Sequence, residues 1–185
     1  IGPNKDKVIA EAKDKLGEDV RILELGAYAG YSAIYMAKVF GAGCRLLSVE
    51  INPDCVEAAR GTVEHAGLGD RVEVVEGKSS DVIGELEGTF DLVFLDHWKD
   101  LYLDDLKLIE SRGLLRDGSV VVADNVGEIF GAEKYLDYVR HCGHYESENR
   151  VATIEYTSVP DAVEISVYRD ERSGSAGSEA STSSA

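Results

Sequence analysis

The sequence predicts an α/β protein built on a doubly wound, mostly parallel sheet of seven strands, with an antiparallel hairpin at one edge. Short β-rich runs alternate with longer helical patterns along most of the chain. Such alternation implies right-handed βαβ crossovers, which make a parallel sheet with helices on both faces. Near the end, two β-rich runs follow each other without a helix between them. This break in the rhythm indicates the antiparallel edge hairpin.

Each predicted element rests on a local pattern. Strands are short runs rich in β-branched or aromatic residues, and helices place apolar residues three or four positions apart. In the second helix, Ile34, Ala37 and Phe40 carry this spacing. The predicted strands are residues 21–25, 45–50, 72–75, 90–96, 119–124, 151–156 and 163–168. The predicted helices are residues 8–16, 31–40, 53–66, 81–86, 103–109 and 132–140.

Turn and cap residues mark some of the boundaries. Asn52 is a suitable N-cap for the third helix, Pro53 suits its first position, and Gly67 is placed to end it. Pro160 and Asp161 are expected to form the turn between the last two strands.

The organisation is that of one domain, residues 1–170, followed by a tail, residues 171–185. The tail is rich in serine and has no apolar residue larger than alanine, so it cannot offset its ordering entropy by burial and is expected to be disordered. The chain begins with Ile1 rather than methionine, and we expect its natural N-terminus to be missing. A membrane anchor in that part is therefore not excluded.

Composition narrows the function. The net charge of −16 would repel a polyanion, so a nucleic-acid partner is not expected. The three cysteines are far apart and form no C-x-x-C motif, which argues against a disulfide framework or a zinc ribbon. We therefore expect the protein to be reduced and intracellular, in the cytoplasm. We also expect it to be a monomer.

Two features indicate an adenosine ligand. Residues 24–32, Glu-Leu-Gly-Ala-Tyr-Ala-Gly-Tyr-Ser, follow the first strand with a G-x-x-x-G spacing that differs from the G-x-G-x-x-G of dinucleotide binders. Glu50 ends the next strand, where an acid can accept hydrogen bonds from both hydroxyls of a ribose. Each feature alone is common as an ordinary turn or a solvated acid. Together they favour an adenosine ligand without a pyrophosphate, and S-adenosylmethionine is the obvious candidate.

Acidic and amide side chains follow two neighbouring strands. Asp96 comes at the end of the fourth strand, and Asp124 and Asn125 at the end of the fifth. Ligands bind beyond the carboxyl ends of such strands, so these side chains should meet at one edge of the sheet. Three oxygen donors suit a hard ion that keeps open positions, as Mg²⁺ does. Trp98, the only tryptophan, either packs against an adenine ring or anchors the core.

Lys99 is the candidate base. A lysine is normally protonated at neutral pH, but a nearby cation favours the neutral amine and makes a bound phenol more acidic. The simpler alternative is a solvated lysine. Glu155, in the predicted sixth strand, would hold a second hydroxyl if it faces the site, and alternation along the strand leaves its direction open.

These motifs resemble the catechol O-methyltransferase family, which has a Rossmann-like methyltransferase fold. The resemblance rests on residues 24–32, 93–100 (Val-Phe-Leu-Asp-His-Trp-Lys-Asp), 113–116 (Gly-Leu-Leu-Arg) and 123–126 (Ala-Asp-Asn-Val), and runs from about Ile1 to Tyr168. The Asp-His-Trp-Lys-Asp string is the most specific of these. Related caffeoyl-CoA-type methyltransferases differ there.

The resemblance implies the roles of individual residues. The Mg²⁺ ligands would be Asp96, Asp124 and Asn125. Lys99 would be the general base, and Glu155 would orient the second hydroxyl of a catechol or related phenol. The substrate contacts would be Asp96, Lys99, Asn125 and Glu155. The S-adenosylmethionine contacts would be Ile1, Glu24, Gly26, Tyr28, Ser32, Glu50, Ile51, Gly77, Ser79, Ser80, Asp96, His97 and Trp98.

The resemblance implies helices before Ile1 that carry an aromatic residue and a methionine over the catechol pocket, and we expect these helices to be missing here. The sequence departs from the family at two further places. Residues 126–130, Val-Gly-Glu-Ile-Phe, replace a segment that normally carries a proline lining the substrate pocket, and Ser80 stands where a glutamine is usual. These changes keep a second reading open, a related metal-dependent O-methyltransferase with a different phenolic substrate. A catalytically silent S-adenosylmethionine-binding paralogue is disfavoured, because such a protein should have lost a metal ligand or Lys99, and this sequence keeps all of them. A nicotinamide-dependent dehydrogenase is disfavoured by the glycine spacing.

Overall fold

The structure is a computed structural model that describes residues 3–154 and 157–170. Six helices alternate with or flank seven strands. The strands are β1 (Arg21–Leu25), β2 (Arg45–Glu50), β3 (Val72–Glu76), β4 (Phe90–Leu95), β5 (Leu115–Ala123), β6 (Tyr145–Thr153) and β7 (Pro160–Tyr168). The helices are α1 (Pro3–Leu16), α2 (Tyr31–Phe40), α3 (Pro53–His65), α4 (Ser79–Glu85), α5 (Tyr102–Ser111) and α6 (Glu133–His141). Short 3₁₀ turns cover Lys99–Leu101 and Glu128–Phe130.

The strands form one sheet in the order β3-β2-β1-β4-β5-β7-β6. Strands β1 to β5 pair in parallel, and β7 pairs antiparallel with both β5 and β6. The strand order reverses direction at β1 and β4, which is the crevice where open α/β sheets bind ligands. The predicted fold class, a doubly wound and mostly parallel sheet with an antiparallel edge hairpin, is confirmed.

The sheet separates two hydrophobic cores. One core packs α1, α2 and α3 against one face and contains Phe40 and Phe94. The other packs α4, α5 and α6 against the opposite face and contains Leu95 and Tyr102. The central strands are therefore apolar on both faces, and their polar residues collect at the strand ends.

The cap predicted for α3 is confirmed, because the Asn52 side chain accepts a hydrogen bond from the backbone of Asp54 at 2.9 Å. The prediction for the last two strands was wrong in detail. Strand β6 begins at Tyr145, six residues before the predicted start, in a stretch rich in charged residues. Pro160 lies within β7, paired with Thr153, so Pro160 and Asp161 do not form the predicted turn. A proline is tolerated there because it is the first residue of its strand.

Several other boundaries differ, and helix α1 begins at Pro3 rather than at residue 8. Strand β5 starts at Leu115 rather than at residue 119, and its register with β4 shifts between Phe90 and Leu92. The predicted disordered tail, residues 171–185, lies outside the described residues. Within the described ranges, no helix has the length and apolarity needed to cross a membrane.

Candidate active site

The loop between β1 and α2 lies against the end of β4. Gly26 has φ +103°, and a Cβ placed there would lie 2.5 Å from the carbonyl oxygen of Asp96. The Gly26 amide donates to the carbonyl of Val49 at 2.9 Å, so the loop also contacts the end of β2. Only glycine combines this backbone conformation with so close an approach. Gly26 thus brings three strand ends together around one space.

Glu50 holds this loop through backbone hydrogen bonds. Its Oε2 accepts from the amide of Tyr28 at 2.9 Å, and its Oε1 accepts from the amide of Asn52 at 2.9 Å. Each carboxylate oxygen retains a further lone pair, and the side chain lines the cavity described below. Glu50 is therefore positioned to accept hydrogen bonds from a ligand.

Glu24, in β1, is fully buried. Burial raises the pKa of its carboxyl from the usual 4.5 to about 7. The hydroxyls of Ser32 and Ser48 oppose this shift, and Ser48 donates a short hydrogen bond to Glu24 Oε2. The negative charges of Asp96 and Glu50 raise the pKa of Glu24 further. A carboxyl with this environment carries a partial charge near neutral pH.

A cavity of about 610 Å³ opens at these strand ends. It is within the size range of small-molecule sites. The predicted residues that line it are Gly26, Tyr28, Ser32, Glu50, Ile51, Gly77, Ser79, Asp96, His97, Trp98, Lys99, Asp124 and Asn125. The structure does not place Glu24 or Ser80 in this lining, and the Ser80 hydroxyl is 3.4 Å from Asp81 Oδ1. Ile1 and Glu155 lie outside the described residues.

The rim of the cavity carries exposed aromatic side chains. Trp98 is 74% exposed and Tyr28 is 76% exposed, although both are large. Tyr31 is also exposed, and sequence reasoning did not single it out. The alternative reading of Trp98 as a core anchor was therefore wrong. Flat apolar side chains at the mouth of a cavity suit a planar ligand ring.

Three oxygen-bearing side chains converge beside the cavity. Leu95 pairs with Ala123 across β4 and β5, so Asp96 and Asp124, which directly follow them, are neighbours. Asn125 comes next, with φ 51°, a conformation that asparagine tolerates better than most residues. The Nζ of Lys99 is 3.4 Å from Asp96 Oδ1 and 3.5 Å from Asn125 Oδ1. These oxygens thus already border one positive group.

The donor set fits a hard divalent cation. Two carboxylates and one amide oxygen are ligands that Mg²⁺ accepts, and Mg²⁺ usually keeps several waters. The described residues contain no group of three or more His, Cys, Asp or Glu side chains of the kind that holds a metal. The set at the strand ends differs from such groups because an asparagine supplies its third oxygen.

Lys99 is anchored by more than these oxygens. Its Nζ donates to Tyr102 Oη at 2.8 Å and to the carbonyl of His97 at 3.1 Å. Tyr102 is buried, which raises its pKa well above the ordinary value, and the charges of Asp96 and Asp124 act in the same direction. The hydroxyl therefore stays neutral and is able to accept from Lys99.

Two residues that sequence reasoning missed support the site. Tyr102 follows Lys99 by three positions, a spacing that places side chains together on a helical turn, so a local signal existed. Asp161 accepts a hydrogen bond from Asn125 Nδ2 at 2.8 Å. It lies 36 residues further along the chain. No local pattern links the two, because only the pairing of β7 with β5 brings them together.

His97 has a partner that its predicted role did not include. Its Nε2 is 2.8 Å from Asp105 Oδ2, and both side chains are almost completely buried. This contact ties the segment after β4 to α5 and holds the backbone from which Trp98 and Lys99 project.

Comparison with known proteins places the chain among the O-methyltransferases. A family model described as O-methyltransferase matches residues 14–134. The fold is also similar to that of an O-methyltransferase from Bacillus cereus in complex with SAH. The two share a TM-score of 0.80 at 23% identity, over 91% of this chain and 82% of that one. A methyltransferase of Podospora anserina bound to SAH gives a TM-score of 0.75 at 25% identity, over 92% and 80%.

Comparison with curated proteins narrows the kind of O-methyltransferase that this chain resembles. This chain is 44% identical to the catechol O-methyltransferase of Sus scrofa over 174 residues, which covers 91% of this chain and 92% of that protein. It is 45% identical to that of Bos taurus over 91% of this chain, but it spans only 63% of the bovine protein. The transmembrane O-methyltransferase of Homo sapiens is 35% identical over 87% of this chain and 55% of that protein. The chain belongs to the O-methyltransferase family, and the predicted resemblance to catechol O-methyltransferases and the predicted enzyme class are confirmed.

Proposed function

We propose that this chain transfers the methyl group of S-adenosylmethionine to one hydroxyl of a catechol held by Mg²⁺. The observation that carries the proposal is the position of Lys99, whose Nζ lies within 3.5 Å of oxygens from both Asp96 and Asn125. A base, a cation site and an adenosine-sized cavity are thereby contiguous. The catechol O-methyltransferases of pig and cattle and the SAH-bound neighbours support the same reading.

The cofactor is proposed to lie along the loop after β1. Glu50 has lone pairs for the ribose hydroxyls and is held by backbone amides, so little reorganisation is needed on binding. Exposed Trp98 is positioned to cover the adenine ring. Ser32, which lines the cavity at the start of α2, would receive the amino acid part of the cofactor, and the buried Glu24 contacts the Ser32 hydroxyl from outside the lining. Ser80 is not required by this arrangement.

Asp96, Asp124 and Asn125 would hold Mg²⁺. When bound, the cation supplies a positive charge that makes a coordinated phenol more acidic. Lys99, in its neutral form, accepts the phenol proton at Nζ. S-adenosylmethionine would supply the methyl group, with its sulfur as the leaving group that keeps the electron pair of the broken bond, and the phenol oxygen that has lost its proton to Lys99 would be the nucleophile. The chain contributes alignment of the two reactants, which replaces a bimolecular encounter.

A second candidate is a related metal-dependent O-methyltransferase with a different phenolic substrate. It is favoured by the segment after the cation site, where Glu128 and Ile129 are exposed in a short 3₁₀ turn. A charged and an apolar side chain at this border would change which ring substituents are accepted. The predictions of a second-hydroxyl contact from Glu155, a monomer and a cytoplasmic location also remain part of the proposal.

The test combines turnover with binding. Lys99→Ala should abolish methyl transfer while the dissociation constant for SAH, measured by calorimetry, changes little. Lys38→Ala is the matched control, because Lys38 is exposed on α2 and does not line the cavity. Equal losses of turnover and SAH affinity in Lys99→Ala would refute its role as base.

Substrate class and cation need their own assay. Incubation with S-adenosylmethionine, Mg²⁺ and matched phenols, read by mass spectrometry, should show methylation of vicinal diols and little of single phenols. Preferential methylation of a single phenol would favour the second candidate. Full activity in excess chelator would rule out the cation.

A further inference from the structure

Asn125 is a side chain whose two ends have opposite chemistry. Its Oδ1 is an acceptor that a cation can use, and its Nδ2 is a donor that a cation cannot use. The two ends have nearly the same shape, so rotation by half a turn exchanges them without a steric cost. The usefulness of Asn125 to the cation site therefore depends on what holds the amide in one orientation.

Asp161 is placed to hold it. Strand β7 pairs with β5 up to the match of Ala123 with Glu164, and the amide of Val126 donates to the carbonyl of Ala162 at 2.9 Å. This pairing carries the beginning of β7 alongside the residues that follow β5. Asp161 is only 3% exposed there, and its carboxylate faces protein groups rather than water.

Both oxygens of Asp161 accept hydrogen bonds. Its Oδ1 accepts from the amide of Ala162 at 2.7 Å and lies 3.4 Å from the amide of Gly127. Its Oδ2 accepts from Asn125 Nδ2 at 2.8 Å. A carboxylate has no hydrogen to donate, so it selects the NH₂ end of the Asn125 amide.

The opposite end of Asn125 faces a donor. Lys99 Nζ is 3.5 Å from Asn125 Oδ1. If the amide turned over, its oxygen would meet the carboxylate of Asp161, and in the cation-free chain its NH₂ would meet the ammonium of Lys99. Both contacts would be repulsive, so the two neighbours select the same orientation.

The backbone at residue 127 is adapted to this contact. A Cβ built on Gly127 would lie 2.9 Å from the Cα of Asp161 and 3.2 Å from its Oδ1. Any larger residue would push Asp161 away from Asn125, because the clash involves backbone. Gly127 thus permits the close approach of Asp161 to Asn125.

We infer that Asp161 is a positioning residue for the cation site, which turns the Asn125 carboxamide so that Oδ1 is presented to the cation. The inference rests on the proposed function, since it gives Asn125 the role of a ligand. Asp161 itself does not touch the cation, the substrate or the cofactor in this role.

Asp161→Asn is a sharp test because it removes one acceptor and adds one donor. If the introduced carboxamide keeps its oxygen toward the amides of Ala162 and Gly127, its own NH₂ faces Asn125. The Asn125 amide must then turn over, and its NH₂ replaces the oxygen at the cation site. Partners that orient a metal ligand are worth about 10- to 100-fold in metal affinity, so we expect a loss of this size.

A double-mutant cycle separates orientation from charge. In an Asn125→Asp background, the side chain at position 125 has two equivalent oxygens, and no donor end can be turned the wrong way. Asp161→Asn should then cause no loss of affinity, because the carboxamide at position 161 donates to one oxygen of the new carboxylate and leaves the other for the cation. If Asp161 acted only through its negative charge, Asp161→Asn would weaken binding equally in both backgrounds.

The probe is Mn²⁺, whose binding to the four proteins of the cycle is measured by electron paramagnetic resonance without substrate. Asp137→Asn is the control, because Asp137 is an exposed carboxylate on α6. Calorimetry with SAH confirms that each variant retains its fold. Equal Mn²⁺ affinity of the wild-type chain and Asp161→Asn, or the same loss in both backgrounds, overturns the inference alone. Absence of Mn²⁺ binding by the wild-type chain overturns the proposed function together with it.

If Asp161→Asn does not fold, the wild-type chain still permits a test. The Nδ2 protons of Asn125, assigned by their absence in Asn125→Asp, should exchange slowly with solvent both before and after addition of Mg²⁺. Slow exchange in both states supports the inference, since these protons remain bonded to Asp161. Rapid exchange, or a change of partner when Mg²⁺ is added, overturns it.

Discussion

The ammonium of Lys99 donates to the hydroxyl of Tyr102 at 2.8 Å, and that hydroxyl lies 2.7 Å from the carbonyl of Leu95 and 2.9 Å from the carbonyl of Asp124. One buried tyrosine therefore links the candidate base to the ends of β4 and β5. Because its single proton is directed at these carbonyls, Tyr102 can only accept from Lys99. The lysine is thereby tied to the two strands that carry the cation site.

Tyr102→Phe should lower turnover without affecting cofactor binding. Loss of a hydrogen bond to a charged group is worth about 1.5–3 kcal/mol, which corresponds to a fall in kcat of about 10- to 150-fold if the full effect is felt in the transition state. The KM for S-adenosylmethionine should not change. Tyr138→Phe is the control, since Tyr138 donates to Glu110 away from the site. A similar loss of kcat in both variants would mean that Tyr102 only supports the fold.

Glu24 should make the stability of the cofactor-free chain fall as pH rises. Its folded pKa of about 7 is above the unfolded value of 4.5, so the native state binds the proton more tightly. The associated stability is fully present below pH 4.5 and is lost as pH rises through 7. At 1.36 kcal/mol for each pKa unit, the whole contribution is at most about 3 kcal/mol.

Glu24→Gln is the variant that checks this dependence. Glutamine does not ionise, so the difference in unfolding free energy between variant and wild type should grow in favour of the variant between pH 5 and pH 8. Urea unfolding at a series of pH values measures it. Parallel pH profiles of the two proteins would show that Glu24 does not titrate in this range.

Gly26→Ala should disrupt both stability and site geometry. The added Cβ would meet backbone atoms of Asp96 and His97 at 2.5–2.9 Å, and φ +103° is unfavourable for alanine. Overpacking of this kind costs about 1–3 kcal/mol. Thermal unfolding and SAH calorimetry should both show the loss.

The matched control is Gly61→Ala within α3, where nothing lies within 4 Å of the built Cβ. Alanine in a helix interior is favoured over glycine by roughly 0.5–1 kcal/mol, so this variant should be slightly stabilised. If both substitutions changed the stability equally, the close contact at Gly26 would not explain the loss.

Trp98→Ala should weaken the cofactor complex and leave the fold intact, because the side chain is exposed at the cavity rim. Stacking of a base on an aromatic side chain contributes about 1–3 kcal/mol, or roughly 5- to 150-fold in the dissociation constant. Trp98 is the only tryptophan, so the fluorescence of the wild-type chain reports on this contact alone. Unchanged fluorescence on addition of SAH would argue against stacking, and Trp98→Phe should retain most of the affinity.

The parallel half of the fold was predictable because its signals are local. Strands β1 and β2 and helix α2 have the predicted bounds, since buried parallel strands are apolar on both faces and glycines mark their ends. Strand β6 begins earlier than predicted because it is an edge strand. One of its sides meets solvent, and its charged residues give no hydrophobic signal.

The same distinction applies to the site. Asp96, Asp124 and Asn125 were predictable because the carboxyl ends of adjacent strands must meet. Tyr102 was accessible in principle from its spacing to Lys99. Asp161 was not, because its contact depends on the position at which β7 enters the sheet, and the predicted turn placed Asp161 outside the strand.

The location of β7 between β5 and β6 affects how the chain folds during synthesis. β6 leaves the ribosome before β7, yet within the sheet β6 forms its backbone hydrogen bonds with β7. A nascent chain that ends after β6 therefore has its parallel strands assembled and β6 unattached. The hydrogen bond from Asn125 to Asp161 also forms only when β7 joins the sheet. Stalled translation products should therefore form the loop between β1 and α2 long before they acquire a defined cation site.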